Sequence, residues 1–178
     1  MNAVAPSREP VDPMVFVPVA GRGAAGVPYP EAFRALLHVD VIHDGQHLPP
    51  EFLVDRDGRA IPESAYFNRY VEERDWGANI VAERLAERLC LDGFWTVTTA
   101  RCLMDFGRFP GATGIGASHL RRFAINHPFS ELLSFQQMKR LLDVHYDGIS
   151  DTMDGAIEGR LMKIAGRHPA RSRGSRRQ

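Results

Sequence analysis

Residues 94–104, FWTVTTARCLM, constrain the fold of this chain more than any other stretch. Their aromatic and β-branched content suits a pleated surface covered on both sides, so the run predicts a central strand. Leu91, Asp92 and Gly93 precede it as the end of a helix, and the D-F-G-R segment at 105–108 follows where the apolar run fails. A central strand needs neighbours on its edges and layers on its faces, and the rest of the chain has to supply them.

Two shorter runs have strand character. Val15, Phe16 and Val17 lead to Pro18, and Val39, Val41 and Ile42 alternate with Asp40 up to His43. Helical periodicity covers residues 63–90, with Val71, Ile80, Val81, Leu85 and Leu89 as the apolar stripe, Glu83, Arg84, Glu87 and Arg88 outside it, and Gly77 as a break. The same periodicity returns from Ser130, the expected cap, to about Ala165, with apolar positions from Leu132 to Ile164 and a division at Gly148. Met138, Met153 and Met162 read as core fillers. Residues 31–38 fit either a short helix or the approach to a strand. A short helix from Ser118 or His119 to Ile125 is expected to end at His127–Pro128. Together these patterns predict a mixed α/β domain, with strands near 14–18, 38–43 and 94–104 and helices at about 64–90 and 130–165 covering the sheet.

A length of 178 residues suits one domain, expected over 14–168, with hydrophobic and charged shares of 44% and 25% that support a sizeable core. Residues 1–13, rich in Pro and small side chains, and the Arg-rich 169–178 are expected to be disordered. Charge interrupts every apolar run short of the ~18 residues of a membrane span. Arg8 and Glu9 break any signal-peptide pattern, so a cytoplasmic protein without a membrane partner is expected. Cys90 and Cys102 make no disulfide framework and read as reduced core thiols. The net charge of +0 conceals an asymmetry, because five arginines and no acid in 167–178 leave −5 on the remainder. Such an arm attracts phosphate nonspecifically, but the body has no basic face interleaved with aromatics, so nucleic acid ranks last among the partner readings.

The glycine-rich turn after Pro18 lacks the Lys–Ser/Thr pair of a phosphate loop and the dinucleotide spacing, and D-F-G stands without the other protein-kinase segments. The chemistry-bearing residues lie elsewhere. His43 closes a strand before Asp44 and Gly45 and is placed to face a cleft, although a hydrogen-bonded or surface histidine is the plainer reading. His47 does not join it in a helical metal motif, because Gly45 and Pro49–Pro50 intervene or follow. Glu72, Glu73 and Asp75 crowd beside Trp76 before the break at Gly77; such carboxylates repel unless a cation sits among them, or they form a solvated acidic face. Arg101 and Arg108 flank Asp105, either as an ion-pair network or as a planar fork for a substrate carboxylate.

In order, I-H-D-G at 42–45, E-R-D at 73–75 and R-C-L-M-D-F-G-R at 101–108, with H-D-G-Q-H-L-P-P-E-F leading away from the first, resemble the N-formylglutamate amidohydrolases over roughly 39–168. The departures are Ile42 for a proline, Asp44 for a small residue and Gly107 for an asparagine. The resemblance implies a mixed, mainly parallel sheet flanked by helices, as in zinc exopeptidase-type (phosphorylase/hydrolase-like) folds, and hydrolysis of an N-acyl amino acid such as N-formylglutamate. It implies zinc held by His43, Glu73 and His168, with Glu73 also catalytic and with Glu72 or Asp75 as alternatives for the carboxylate ligand. It assigns Arg101 and Arg108 to the substrate carboxylate and Asp105 to orienting an arginine. His145, next to Asp147, is a candidate for supporting a metal ligand or acting as general base, set against an exposed helix histidine. The family continues with further strands and helices after its last zinc histidine, whereas PARSRGSRRQ follows His168 here, so a truncated or degenerate member is expected. The alternative is a relative that binds a carboxylate ligand or protein partner without turnover.

Overall fold

A computed structural model describes residues 11–20, 30–108 and 124–167, and within it the chain is mixed α/β. Strand β1 (Met14–Pro18), the short helix α1 (Glu31–Arg34) and strand β2 (Asp40–Val41) come first. Helices α2 (Phe67–Glu72) and α3 (Ala78–Leu89) follow, then strand β3 (Gly93–Val97). The last part is helical: α4 (Phe129–Leu132), α5 (Phe135–Leu141), a π-helical turn at Leu142–Tyr146, and α6 (Asp147–Arg167). Among the described residues no helix is long and apolar enough to cross a membrane.

The sheet order is β1-β3-β2, so the run expected to be central is central. β1 lies antiparallel to β3 with Phe16 opposite Trp95, and β2 lies parallel to it with Val41 opposite Thr96. The longer pairing is therefore the antiparallel one, a departure from the mainly parallel sheet that the resemblance implies. β2 is short because the chain leaves the sheet after Val41 and rejoins it at His47, whose backbone bonds to Thr98 and Ala100. Gly45 permits this excursion: a Cβ there would lie 2.3 Å from the Thr99 carbonyl oxygen, closer than any side chain can approach.

Alternation along β3 divides the core between its two faces. Phe94 joins Val41 and Ala82 in a small cluster under α3. Val97 and Trp95 face the larger core of Met14, Phe52, Leu103, Phe129, Leu141 and Ile149. The apolar stripe expected to seat α3 does not do so, since Ile80, Val81 and Leu85 are exposed. Its buried face is Ala82 and Ala86, with Ala78 beside them. Small residues four apart let the helix backbone approach the sheet closely, and that geometric fit overrides the larger stripe.

The apolar run 94–104 stops being a strand at Val97. After Thr99 it turns, with the Ala100 carbonyl accepting from the amides of Leu103 and Met104 at 3.0 and 3.2 Å. Cys102, Leu103 and Met104 are buried in that turn, so apolar content alone gave no sign of where extension ends. The helical region 63–90 breaks as expected before Gly77, which adopts a left-handed φ of 82°.

Three expectations for the C-terminal helices need correction. The cap is Ser134 rather than Ser130: its hydroxyl accepts from the Gln137 amide while the Gln137 side chain accepts from the Ser134 amide, a reciprocal capping box. The irregularity is the π-helical turn at Leu142–Tyr146, and α6 runs unbroken through Gly148. Burial fades beyond Met153, leaving Ile157, Leu161 and Met162 exposed, so Met162 fills no core. Of the short helix expected up to Ile125, residues 118–123 lie outside the described residues, and Ile125 instead bridges Met104.

Candidate functional site

His43, Glu73, Asp75, Arg101, Asp105 and Arg108 come together, although they lie on three separated segments. The loop after β2 carries His43, the linker between α2 and α3 carries Glu73 and Asp75, and the turn after β3 carries the rest. Backbone bonds lock the segments: the Asp75 amide donates to the His43 carbonyl at 3.0 Å, and the His47 amide donates to that of Thr98 at 2.8 Å.

Asp105 lies at the bottom of the cluster, its side chain 5% exposed. One carboxylate oxygen meets His43 Nε2 at 2.9 Å and accepts from the Gly107 amide at 2.9 Å. The other faces Arg101 Nε at 3.4 Å and Arg108 Nε at 3.3 Å. Burying a carboxylate without partners would be costly, and the two guanidinium groups, the imidazole and the Gly107 amide offset that cost. Gly107 is part of the fit, because a Cβ there would come within 3.1 Å of both His43 Nε2 and Asp105 Oδ1.

The outer side is different. The side chain of Asp75 is 55% exposed, with one oxygen 3.2 Å from an Arg101 Nη and the other 3.3 Å from His43 Nδ1. The same Arg101 nitrogen donates to the Glu73 carbonyl at 3.0 Å. An ion pair this open to water contributes only ~0.2–1 kcal/mol, whereas leaving an acceptor as buried as Asp105 without a partner costs about 1–3 kcal/mol or more. Asp105 is therefore fixed structure and the Asp75 side chain is weakly held.

Glu73 sits beside this pair rather than inside it. Its carboxylate accepts from Arg69 at 2.6 Å and from Asn126 Nδ2 at 3.3 Å, and Asn126 also donates to the Arg101 carbonyl at 2.6 Å. Glu72 is exposed on α2. Asn126 is buried in the segment before α4 and had no signal in the sequence, because its role depends on a contact across the fold. Asp44 was equally illegible. It is 3% exposed, takes Arg74 at 2.6 Å, and accepts from the Asn79 amide at 3.0 Å, capping the first turn of α3 from another segment. Arg74 in turn lies over the Trp76 ring at 4.2 Å.

His145 is neither exposed nor bonded to this cluster. It is buried in the π-helical turn, with Nδ1 2.9 Å from the Thr99 hydroxyl and its ring edge-on to Phe52. Burial pushes its pKa down to about 4. Cys102 is buried as expected, with its thiol pushed up to about 12 by burial and secondarily by the nearby Glu73 carboxylate, which makes it an inert core group. Cys90 ends α3 in a left-handed conformation with φ 50°.

The fit to zinc can be judged from the donors. Both His43 nitrogens face carboxylates on opposite sides of the ring, so Asp75 and Asp105 cannot share one ion with it. Among the described residues no group of three His, Cys, Asp or Glu side chains is arranged to hold a metal ion, and His168 lies outside them. Among the described residues, then, the donors of this cluster are not arranged as a zinc set. No family model matches the chain, and no curated protein and no solved structure matches it.

Proposed function

We propose that the His43–Arg101 cluster binds a small carboxylate, with N-acyl amino acids of the N-formylglutamate type as the class that the sequence resemblance implies. The carrying observation is that His43, Arg101 and Arg108 converge around one deeply buried carboxylate, Asp105, with Arg101 and His43 also reaching the exposed outer side. Asp105 holds the guanidinium groups in place. A guanidinium presents several N–H donors in one plane, so Arg101 can hold Asp105 through Nε and offer an Nη to a second carboxylate.

Zinc-dependent hydrolysis of the same substrate class is the second reading. The meeting of His43, Glu73 and Arg101 in one cluster favours it, while the donor geometry speaks for binding without turnover. Titration of labelled protein with N-formylglutamate and with acetate, followed by NMR, tests the binding. Saturable shifts around Arg101 that weaken at least tenfold in Arg101→Lys are expected, because lysine keeps the charge and loses the fork. Absence of saturable shifts in the wild type overturns the reading. Formate release from N-formylglutamate with added zinc, present in the wild type and lost in His43→Ala, would establish hydrolysis; equal rates in the two proteins would leave a binding protein.

A further inference from the structure

We infer that Asp75 is an internal occupant of the carboxylate position, a side chain that an incoming ligand carboxylate displaces; this rests on the binding reading above. Its two oxygens are divided between an Arg101 Nη at 3.2 Å and His43 Nδ1 at 3.3 Å, the arrangement a ligand carboxylate would adopt between a guanidinium and an imidazole. It is the water-facing carboxylate of the cluster, 55% exposed against 5% for Asp105. Exchange of one carboxylate for another leaves the charge balance around Arg101 and His43 unchanged, so no buried charge is created at any stage.

The surroundings let the side chain move without the backbone. The Asp75 amide is held by the His43 carbonyl at 3.0 Å, and its own carbonyl accepts from the Ala78 amide at 3.1 Å. On either side, Arg74 is pinned by buried Asp44, and the Trp76 indole donates to the Val71 carbonyl at 2.7 Å. A rotation about the side-chain bonds of Asp75 therefore opens the position while the linker stays in place. Asp105 has no such freedom, being buried with His43, both arginines and the Gly107 amide around it. The internal carboxylate also acts as a filter: a neutral amide lacks the charge to replace it, so selection favours anionic ligands.

The experiment is calorimetric titration with acetate and with N-formylglutamate of the wild type, Asp75→Asn, Asp75→Ser and Asp57→Asn. Asp57 is exposed in another turn, and its substitution makes the same change in net charge. Both Asp75 variants are expected to bind about fivefold tighter than the wild type, as removal of a weak competitor from the site predicts, with Asp57→Asn unchanged. In the wild type, the Trp76 indole resonance is expected to shift as ligand saturates, and in Asp75→Ser that shift should largely vanish. Wild-type binding with equal or weaker binding in both Asp75 variants overturns the occupant role and leaves the binding reading standing. No binding by any of the four proteins overturns the binding reading, and the inference falls with it.

Discussion

Gly107 lies against the buried His43–Asp105 pair, where the geometry leaves little room for a side chain. A Cβ there would press on His43 Nε2 and Asp105 Oδ1, each 3.1 Å away, and a longer side chain would crowd the pair further. Gly107→Ala is therefore expected to cost about 1–3 kcal/mol of stability, the usual range for overpacking, and to weaken carboxylate binding by shifting His43 off Asp105. Urea unfolding and the acetate titration read the two effects separately. Unchanged values in both would show that the His43–Asp105 pair tolerates displacement. Asp44 is held just as closely, because no small residue could both cap α3 and hold Arg74.

At the scale of elements, α3 shows how side-chain volume decides which face is buried. Ala86 is fully buried and Ala82 nearly so, whereas Val81 and Ile80 are exposed on the same helix. Ala86→Leu is expected to destabilise by about 1–3 kcal/mol through overpacking of its fully buried site, while Val81→Lys should stay within about 0.5 kcal/mol of the wild type. Urea midpoints of the two variants check this. The reverse order would mean that the helix seats on its large apolar stripe. The same element shows why the linker matters: with its first turn capped by Asp44, α3 begins at a fixed place, and the preceding residues deliver Asp75 to His43 and Arg101.

For the whole molecule, the buried His145 ties stability to pH. Its folded pKa of about 4 lies below the ordinary 6.5, so as pH falls the unfolded chain takes the proton first. The stability associated with neutral His145 is complete above about pH 6.5 and is lost as pH falls through about 4, a change on the order of 3 kcal/mol. Asp40, whose carboxyl burial pushes its pKa up, works in the opposite direction and is common to wild type and variant. Urea unfolding between pH 7 and 4 should therefore show a steeper acid loss in the wild type than in His145→Gln. Parallel curves for the two proteins would place His145 in contact with water.

The residues of the candidate site were legible because their chemistry is local: a histidine closing a strand, acids crowded before a glycine, and arginines flanking an aspartate are visible along the chain. Aromatic and β-branched content likewise marked the central strand, a glycine the break at 77, and 3.6-residue periodicity the C-terminal helices, since all three are properties of short segments. Which bonds those residues make was decided only by the tertiary structure. Asp75 reaches His43 across 32 positions, Asn126 joins Glu73 to the Arg101 carbonyl from a distant segment, and Asp44 caps a helix it does not belong to. Burial, too, was set by packing: an alanine face that fits the sheet outcompeted a larger apolar stripe, and His145 went inward at a π-helical turn that no sequence period marks. Local chemistry is written in neighbouring residues, whereas pairing and burial are energies of contact between segments that the chain order keeps apart.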